Sequence, residues 1–387
     1  MRQTNHIQKY LRAGLQSGLS LIELMISITI GLLILVSLST LFINQSKARV
    51  ELDKSNRMIE NGRYAMELLS NNLRLAGFYD NFAPTGTPAN IYDPCDTSPI
   101  VNSANNLHIL LLHVQGFNAE AAGTASQQEA VVQPFTKAPF AGLLPCGLTY
   151  TTGSNLTLKR GSDILTVRRA GTVVTAAAAA LSSTTYLQVS MCDSDAAVPP
   201  NNYQILTAPA AASFASMHKK DCAASSDLRP FMVLTYFVSP DNTPGDGIPT
   251  LKQIDQYGTV TPLVEGIEYM QVDYGIDGDS DGNGLLDDVN GDGSVNAQDL
   301  DGAPDSYSST CAACTTSADW AKYWSNVLSV RISILARNTE KTPGWSDAKI
   351  YSLGLSGSVG PFNDDYKRHE YSQLIRLVNP SGRRETP

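Results

Sequence analysis

Residues 19–43 read LSLIELMISITIGLLILVSLSTLFI and carry one ionisable side chain, Glu23. A helix of that length spans a hydrocarbon core of about 30 Å, so whatever follows must fold as a body attached to a membrane-embedded helix. The preceding segment, residues 1–18, contains Arg2, Lys9 and Arg12 and no acid, which predicts that it stays cytoplasmic. A secretory signal peptide places its cleavage site after a short apolar core. Here the small residue, Gly18, stands before the apolar run. A cut at that point removes the leader and leaves the anchor.

With that order established, Gly18-Leu19-Ser20-Leu21-Ile22-Glu23-Leu24-Met25 resembles the processing motif of type IV prepilins and type II secretion pseudopilins. The resemblance implies that a prepilin peptidase cuts between Gly18 and Leu19 and methylates the new amine of Leu19. Glu23 is then the fifth mature residue. Leu19 departs from the commoner phenylalanine, and Thr40 stands near where many major pilin helices carry a kinking proline. A carboxylate in an apolar helix costs several kcal/mol unless paired or neutralised. The assembly reading pairs Glu23 with the N-terminal amine of a neighbouring subunit. The alternative is an interfacial Glu reaching headgroups in an ordinary signal-anchored protein.

Residues 44–76 contain no Pro and one Gly, and their helix formers extend the helix beyond the membrane. Leu52, Ile59, Met66 and Leu73 recur every seven residues, with Leu69 and Ala76 alongside, a narrow apolar stripe expected to pack on the chain's own globular domain. Gly77 ends the pattern. Gly62 through Leu69 and Asn72 through Phe78 resemble the PilW family of minor pilins. Beyond Gly77 the texture changes to short β-type runs punctuated by Gly, Pro, Asn and Ser. Strands are expected at Leu107–Val114, Asn155–Arg160, Ile164–Arg169, Tyr186–Ser190, Phe231–Val238, Ile267–Tyr274, Val327–Leu335, Ile350–Leu355 and Leu374–Val378, with no long helix between them. The Ala-rich stretches 176–180 and 208–215 read as loop or short helix. The fold class is α+β and type IV pilin-like: a leader (1–18), a transmembrane half-helix (19–43), an amphipathic half-helix (44–76) and an antiparallel β-rich periplasmic domain (77–387).

The PilW resemblance continues at Phe231–Val238 with a Pro-Thr-Leu turn at Gly247–Leu251, at Leu263 through Gly275, and at Trp324–Val327 through Arg331–Ile332. It leaves residues 80–230 unmatched. It implies a minor pilin that primes a type IV pilus or sits near its tip. Its implied partners are other major and minor pilins, the prepilin peptidase and the inner-membrane assembly machinery, with twitching and adhesion as the associated biology. A type II secretion minor pseudopilin shares the N-terminal motif. A membrane-anchored periplasmic calcium-binding protein that never polymerises is the third reading.

Charge is concentrated in one place. The formal net charge is −9, and no Lys or Arg lies between Lys252 and Lys322. Asp277, Asp279, Asp281, Asp287, Asp288, Asp292, Asp299, Asp301 and Asp305 all fall in that gap; without them the chain has 28 acids against 28 bases. This balance argues against nucleic acid as a partner. Asp288, Asn290, Asp292, Ser294, Asn296 and Asp299 stand at positions 1, 3, 5, 7, 9 and 12 of a loop with Gly293 at position 6. That is the EF-hand calcium pattern with Asp for the final Glu, and it resembles the dockerin calcium loop. A second loop overlaps its front. One register uses Asp279, Asp281, Asn283 and Asp287 with Asn290 twelfth; another begins at Asp277 and puts Leu285 at position 9. Calcium suits so many hard oxygen ligands, and without a cation the carboxylates repel one another. The alternative is a solvated acidic loop in an insertion, 277–305, between two strands.

Six cysteines, Cys95, Cys146, Cys192, Cys222, Cys311 and Cys314, in an exported body read as disulfides. They allow fifteen connectivities; pairing neighbours in sequence gives Cys95–Cys146, Cys192–Cys222 and Cys311–Cys314. The C-x-x-C also invites a redox or half-zinc reading, but it lacks a thioredoxin-like context and a second Cys pair. The five His are scattered, and no phosphate loop or nucleophile elbow is present. No enzyme activity is expected.

Overall fold

The computed structural model describes residues 18, 20–97, 106–118, 144–176, 179–180, 183–197, 202–207, 214, 216–295 and 299–385. The leader before Gly18, Leu19, Asn296 and most of the Ala-rich stretches lie outside this set. The chain forms two compact units, one ending at Asp53 and one beginning at Lys54.

The first unit holds the apolar part of helix α1 (Leu21–Arg74). Ser20 caps it: its hydroxyl accepts the Ile22 N–H at 3.3 Å, and the Glu23 carboxylate accepts the Ser20 N–H at 3.0 Å. This is a variant of the capping box in which Ser20 accepts the second helical amide instead of the third, and it satisfies two otherwise orphaned donors. Further along, the hydroxyls of Ser27, Thr29, Ser37 and Thr40 each donate to a carbonyl three or four residues earlier. These four hydroxyls therefore have partners inside the helix, as a lipid environment demands. The helix is long and apolar enough to cross a membrane.

The second unit contains the rest of α1, two larger antiparallel sheets and a two-stranded ribbon. The face of α1 that it buries is Met58, Gly62, Ala65, Met66, Leu69, Ser70 and Leu73. Met66, Leu69, Leu73 and Ala76 are buried as the stripe predicts, but Leu52 is 62% exposed and Ile59 only half-buried. A seven-residue repeat drifts about 20° per heptad on a straight helix, so over three heptads it leaves the face that a 3.6-residue period keeps. α1 ends at Arg74, and the turn that follows runs to Gly77, whose φ of 70° is left-handed and whose N–H donates to Arg168 O.

The first sheet is built on β5 (Leu228–Ser239). It pairs with β2 (Ile164–Ala170), β3 (Thr185–Val189) and β6 (Thr250–Asp255); β1 (Val114–Phe117), β4 (Tyr203–Thr207) and β7 (Val260–Glu265) complete it. The second sheet runs β13 (Arg368–Arg376), β10 (Val327–Arg337), β8 (Ile267–Ile276), β9 (Ser306–Ser308). One core joins Leu69 and Leu73 of α1 to Val167, Tyr236, Val272, Val330 and Ile332 of the two sheets and to Trp324.

Several expected strands differ. Asn106–Leu111 is a short helix, α2, and its apolar run packs Ile109 and Leu110 inward; a run so short does not distinguish helix from strand. Residues 155–160 hold a turn and one isolated bridge, Thr157 with Thr149, in place of a strand, and the Thr157 hydroxyl donates locally to Thr151 O and Ser154 O. Thr250 opens strand β6 rather than ending a turn. Ile350–Leu355 contains only the two-residue strand β11 (Tyr351–Ser352), paired with β12 (Ser358–Val359). Of Leu374–Val378, only Leu374 to Arg376 belong to a strand, the end of β13, while Val378 begins a helix; the polar first half of β13, an edge strand, lacks an apolar signature. Helix α3 (Ser317–Ser325) interrupts the β-rich region; Thr316 and Asp319 cap it reciprocally, a T-x-x-D signal visible in the sequence. A fourth helix, α4 (Val378–Arg384), closes the described chain.

Candidate metal centre

The acidic insertion leaves the sheet at Ile276 and returns at Ser306, residues that face each other across the β8–β9 ladder. Both ends of the segment are therefore fixed by strand pairing. Its base is locked a second time by Asp277, a fully buried carboxylate held 2.9 Å from Arg384 of α4. Arg384 also donates to Ser325 O and to Asn326 Oδ1. Asp277 accepts the N–H groups of Asp301 and Gly302 as well. Burial pushes its pKa up, and Arg384 opposes that shift. In this structure Asp277 closes the insertion, and its oxygens are engaged away from the carboxylates that follow.

Between these ends the chain folds one local pattern twice, offset by nine residues. Asp279 accepts the N–H groups of Gly282 and Gly284, Asp281 Oδ1 accepts that of Asn283, and Asn283 Oδ1 accepts that of Leu285. Nine residues on, Asp288 accepts the N–H groups of Gly291, Asp292 and Gly293, Asn290 Oδ1 that of Asp292, and Asp292 Oδ1 that of Ser294. Gly284 and Gly293 hold φ of 91° and 88°, the left-handed region that glycine alone enters freely. The repeated pattern starts at Asp279, the first residue of one of the two expected registers. Asp287 closes the first loop, its Oδ2 accepting from the Ser280 N–H and hydroxyl and the Asp281 N–H. Asn290 belongs to the second loop, its N–H donating to Asp299 Oδ1 alongside that of Val289. The two loops therefore share no carboxylate.

The first loop gathers its acids more tightly. Oxygens of Asp279, Asp281 and Asp287 all lie within 4.8 Å of one another, which is the span across one ion whose ligands stand about 2.4 Å from it. Asp279 is fully buried, and burial raises its pKa against the pull of the Ser306 hydroxyl and the Gly284 and Gly282 amides. Asp288, Asp292 and Asp299 do not form such a group among the described residues, although the second loop matches the EF-hand pattern more fully in sequence. Leu285, Leu286, Val295 and Leu300 border, with Leu110 and Arg384, a cavity of about 820 Å³.

All six cysteines are bridged, as Cys95–Cys146, Cys192–Cys222 and Cys311–Cys314. The closed C-x-x-C is buried. His113 is buried, its ring nitrogens on Leu111 O and Val327 O, while His218 pairs with Asp195. Spacing in the sequence points to neither Ser306 nor Arg384, since both come from strand and helix partners distant in the chain.

Residues 235–379 match the family model described as type IV pilus-assembly protein W. The matched span runs from within β5 to the start of α4 and includes the whole acidic insertion; α1 and the Gly18 motif lie before it. No curated protein and no solved structure matches the chain. The family match connects this chain with type IV pilus assembly.

Proposed function

We propose that this chain is a minor pilin that primes type IV pilus assembly or sits near the pilus tip, and that it carries structural calcium. The observation that carries the proposal is the pilus-assembly match over residues 235–379 in a chain whose α1 is long and apolar enough to span a membrane. Prepilin peptidase cuts after Gly18 and methylates the Leu19 amine, and the inner-membrane machinery extracts the anchored subunit into a fibre with the other pilins. Glu23, which here takes the Ser20 N–H within its own helix, exchanges that contact for the N-terminal amine of a neighbouring subunit. The exchange neutralises two charges that an apolar filament core would otherwise bury at a cost of several kcal/mol. The domain from residue 77 onward faces the periplasm and then the outside, which agrees with three disulfides.

Calcium is held by Asp279, Asp281, Asn283 and Asp287 in the first loop and by Asp288, Asn290, Asp292, Ser294, Asn296 and Asp299 in the second. The ion supplies positive charge to a segment rich in carboxylates and so makes a long insertion rigid. Mass spectrometry of the N-terminus of this subunit in sheared, purified pili tests the assembly reading. Methylated Leu19 as first residue supports it. An uncut chain, or its absence from pili that assemble without it, sinks it.

A further inference from the structure

The two acidic loops share a hydrogen-bond pattern but differ in what holds them. In the second loop, Asp288, Asn290, Asp292 and Asp299 accept amides that lie between Val289 and Ser294. These contacts lie within the loop itself. The first loop is seated on another part of the chain. The Ala313 N–H, between the two bridged cysteines, donates to Asn283 O at 2.9 Å. Gly284 lies directly on the bridge: a Cβ built there would stand 2.5 Å from Cys311 Sγ and 3.0 Å from Cys311 Cα. The Ser306 hydroxyl reaches Asp279 Oδ2 at 3.0 Å. Positions 1, 5 and 6 of the first loop thus rest on residues 306–313.

We infer that the Cys311–Cys314 bridge is the positioning element of the first calcium loop, so that calcium occupancy of Asp279, Asp281 and Asp287 depends on the bridge while occupancy of the second loop does not. This rests on the calcium reading above. The physical reason is pre-organisation. Three carboxylates held within 4.8 Å of one another repel when no cation is present, so the backbone under them must be fixed by something outside the loop. A four-residue covalent ring that buries both cysteines and presents the Ala313 amide to Asn283 O does this. Outer partners of metal ligands affect affinity by about 10–100-fold. The bridge also orders events: the first loop is completed only after the chain reaches a compartment where cysteines oxidise.

The test is calcium equilibrium dialysis on the full chain in detergent micelles, with calcium alone as the probe. The wild type is expected to bind two ions. The Cys311→Ala/Cys314→Ala variant should lose about 10–100-fold in affinity for one of them, keeping the ion that Asp288→Asn removes. Cys192→Ala/Cys222→Ala, which deletes a bridge elsewhere, should keep both. If the Cys311 variant does not fold, Ala313→Pro, which keeps both cysteines and removes the amide that holds Asn283, serves the same comparison. Unchanged binding of both ions in these variants overturns the inference and leaves the calcium reading standing, as does a wild type whose sole ion is lost in Asp288→Asn. A wild type that binds no calcium overturns the calcium reading itself.

Discussion

Gly62 is the one glycine in residues 44–76, and a helix interior normally loses about 1 kcal/mol by carrying glycine in place of alanine. Its substitution should nevertheless destabilise this protein. A Cβ at Gly62 would lie 2.2, 2.7 and 2.8 Å from Cε2, Cζ and Cδ2 of Tyr371, where carbon atoms prefer about 3.5–4.0 Å. The ring must move by more than an ångström, and β13 holds its backbone. The move also breaks the 3.3 Å bond from the Tyr371 hydroxyl to Ile59 O, worth about 1 kcal/mol. Overpacking of this kind costs about 1–3 kcal/mol. Set against a gain of about 1 kcal/mol in helix propensity, Gly62→Ala should lose about 1–3 kcal/mol. In a Tyr371→Val background the obstacle is gone, and the same change should stabilise by about 0.5–1 kcal/mol. Urea unfolding of the four proteins of this cycle, followed by tryptophan fluorescence, measures the coupling. A Gly62→Ala effect equal in both backgrounds, or a stabilisation in the presence of Tyr371, would refute the contact as the reason for glycine.

Arg368→Met should cost about 3–5 kcal/mol, because the buried Arg368 pairs with Glu268 and Asp347, both buried, and with Asp364, and its removal strands those charges; a loss under about 1 kcal/mol in urea unfolding speaks against that role. Burial, reinforced by Arg383 and Arg384, pushes the His113 pKa down to about 3, so below pH 6.5 the unfolded chain gains a proton that the folded one refuses. Stability from this group is complete above pH 6.5 and falls by up to about 1.4 kcal/mol per pH unit towards pH 3; His113→Gln should flatten that slope, and an unchanged profile of unfolding midpoint against pH contradicts it. Glu23→Ala should leave the Gly18 cut in place yet deplete the subunit from sheared pili, and normal amounts on immunoblots would remove the pairing role. Asp288→Ala with Asp292→Ala should reduce calcium-dependent thermal stabilisation, which for a single site at a hundred times its Kd amounts to about 2.7 kcal/mol; a full wild-type response in a thermal melt would exclude the second loop.

Local regularities are legible in the amino-acid sequence alone. An apolar run broken only by Glu23, a helix-forming segment ended by Gly77, and oxygen side chains alternating around Gly284 and Gly293 each depend on neighbours a few residues away, and periodicity reads such neighbours well. Pairing the cysteines in chain order also agrees with the three bridges. Tertiary structure decides whatever depends on distant partners. Heptad spacing cannot tell that Leu52 leaves the buried face while Gly62 enters it, because the choice is made by helix drift and by Tyr371, far along the chain. The polar half of β13 becomes a strand by pairing with β10, a contact that no local pattern encodes. In the acidic segment, spacing allows overlapping loops and leaves Asp277 as a candidate ligand. Folding assigns Asp277 to Arg384, separates Asp287 from Asp288, and sets Gly284 on the Cys311–Cys314 bridge. Spacing shows which residues can serve as oxygen ligands, but the backbone that converges them is held by strand ends, a helix and a disulfide that meet only in the folded chain.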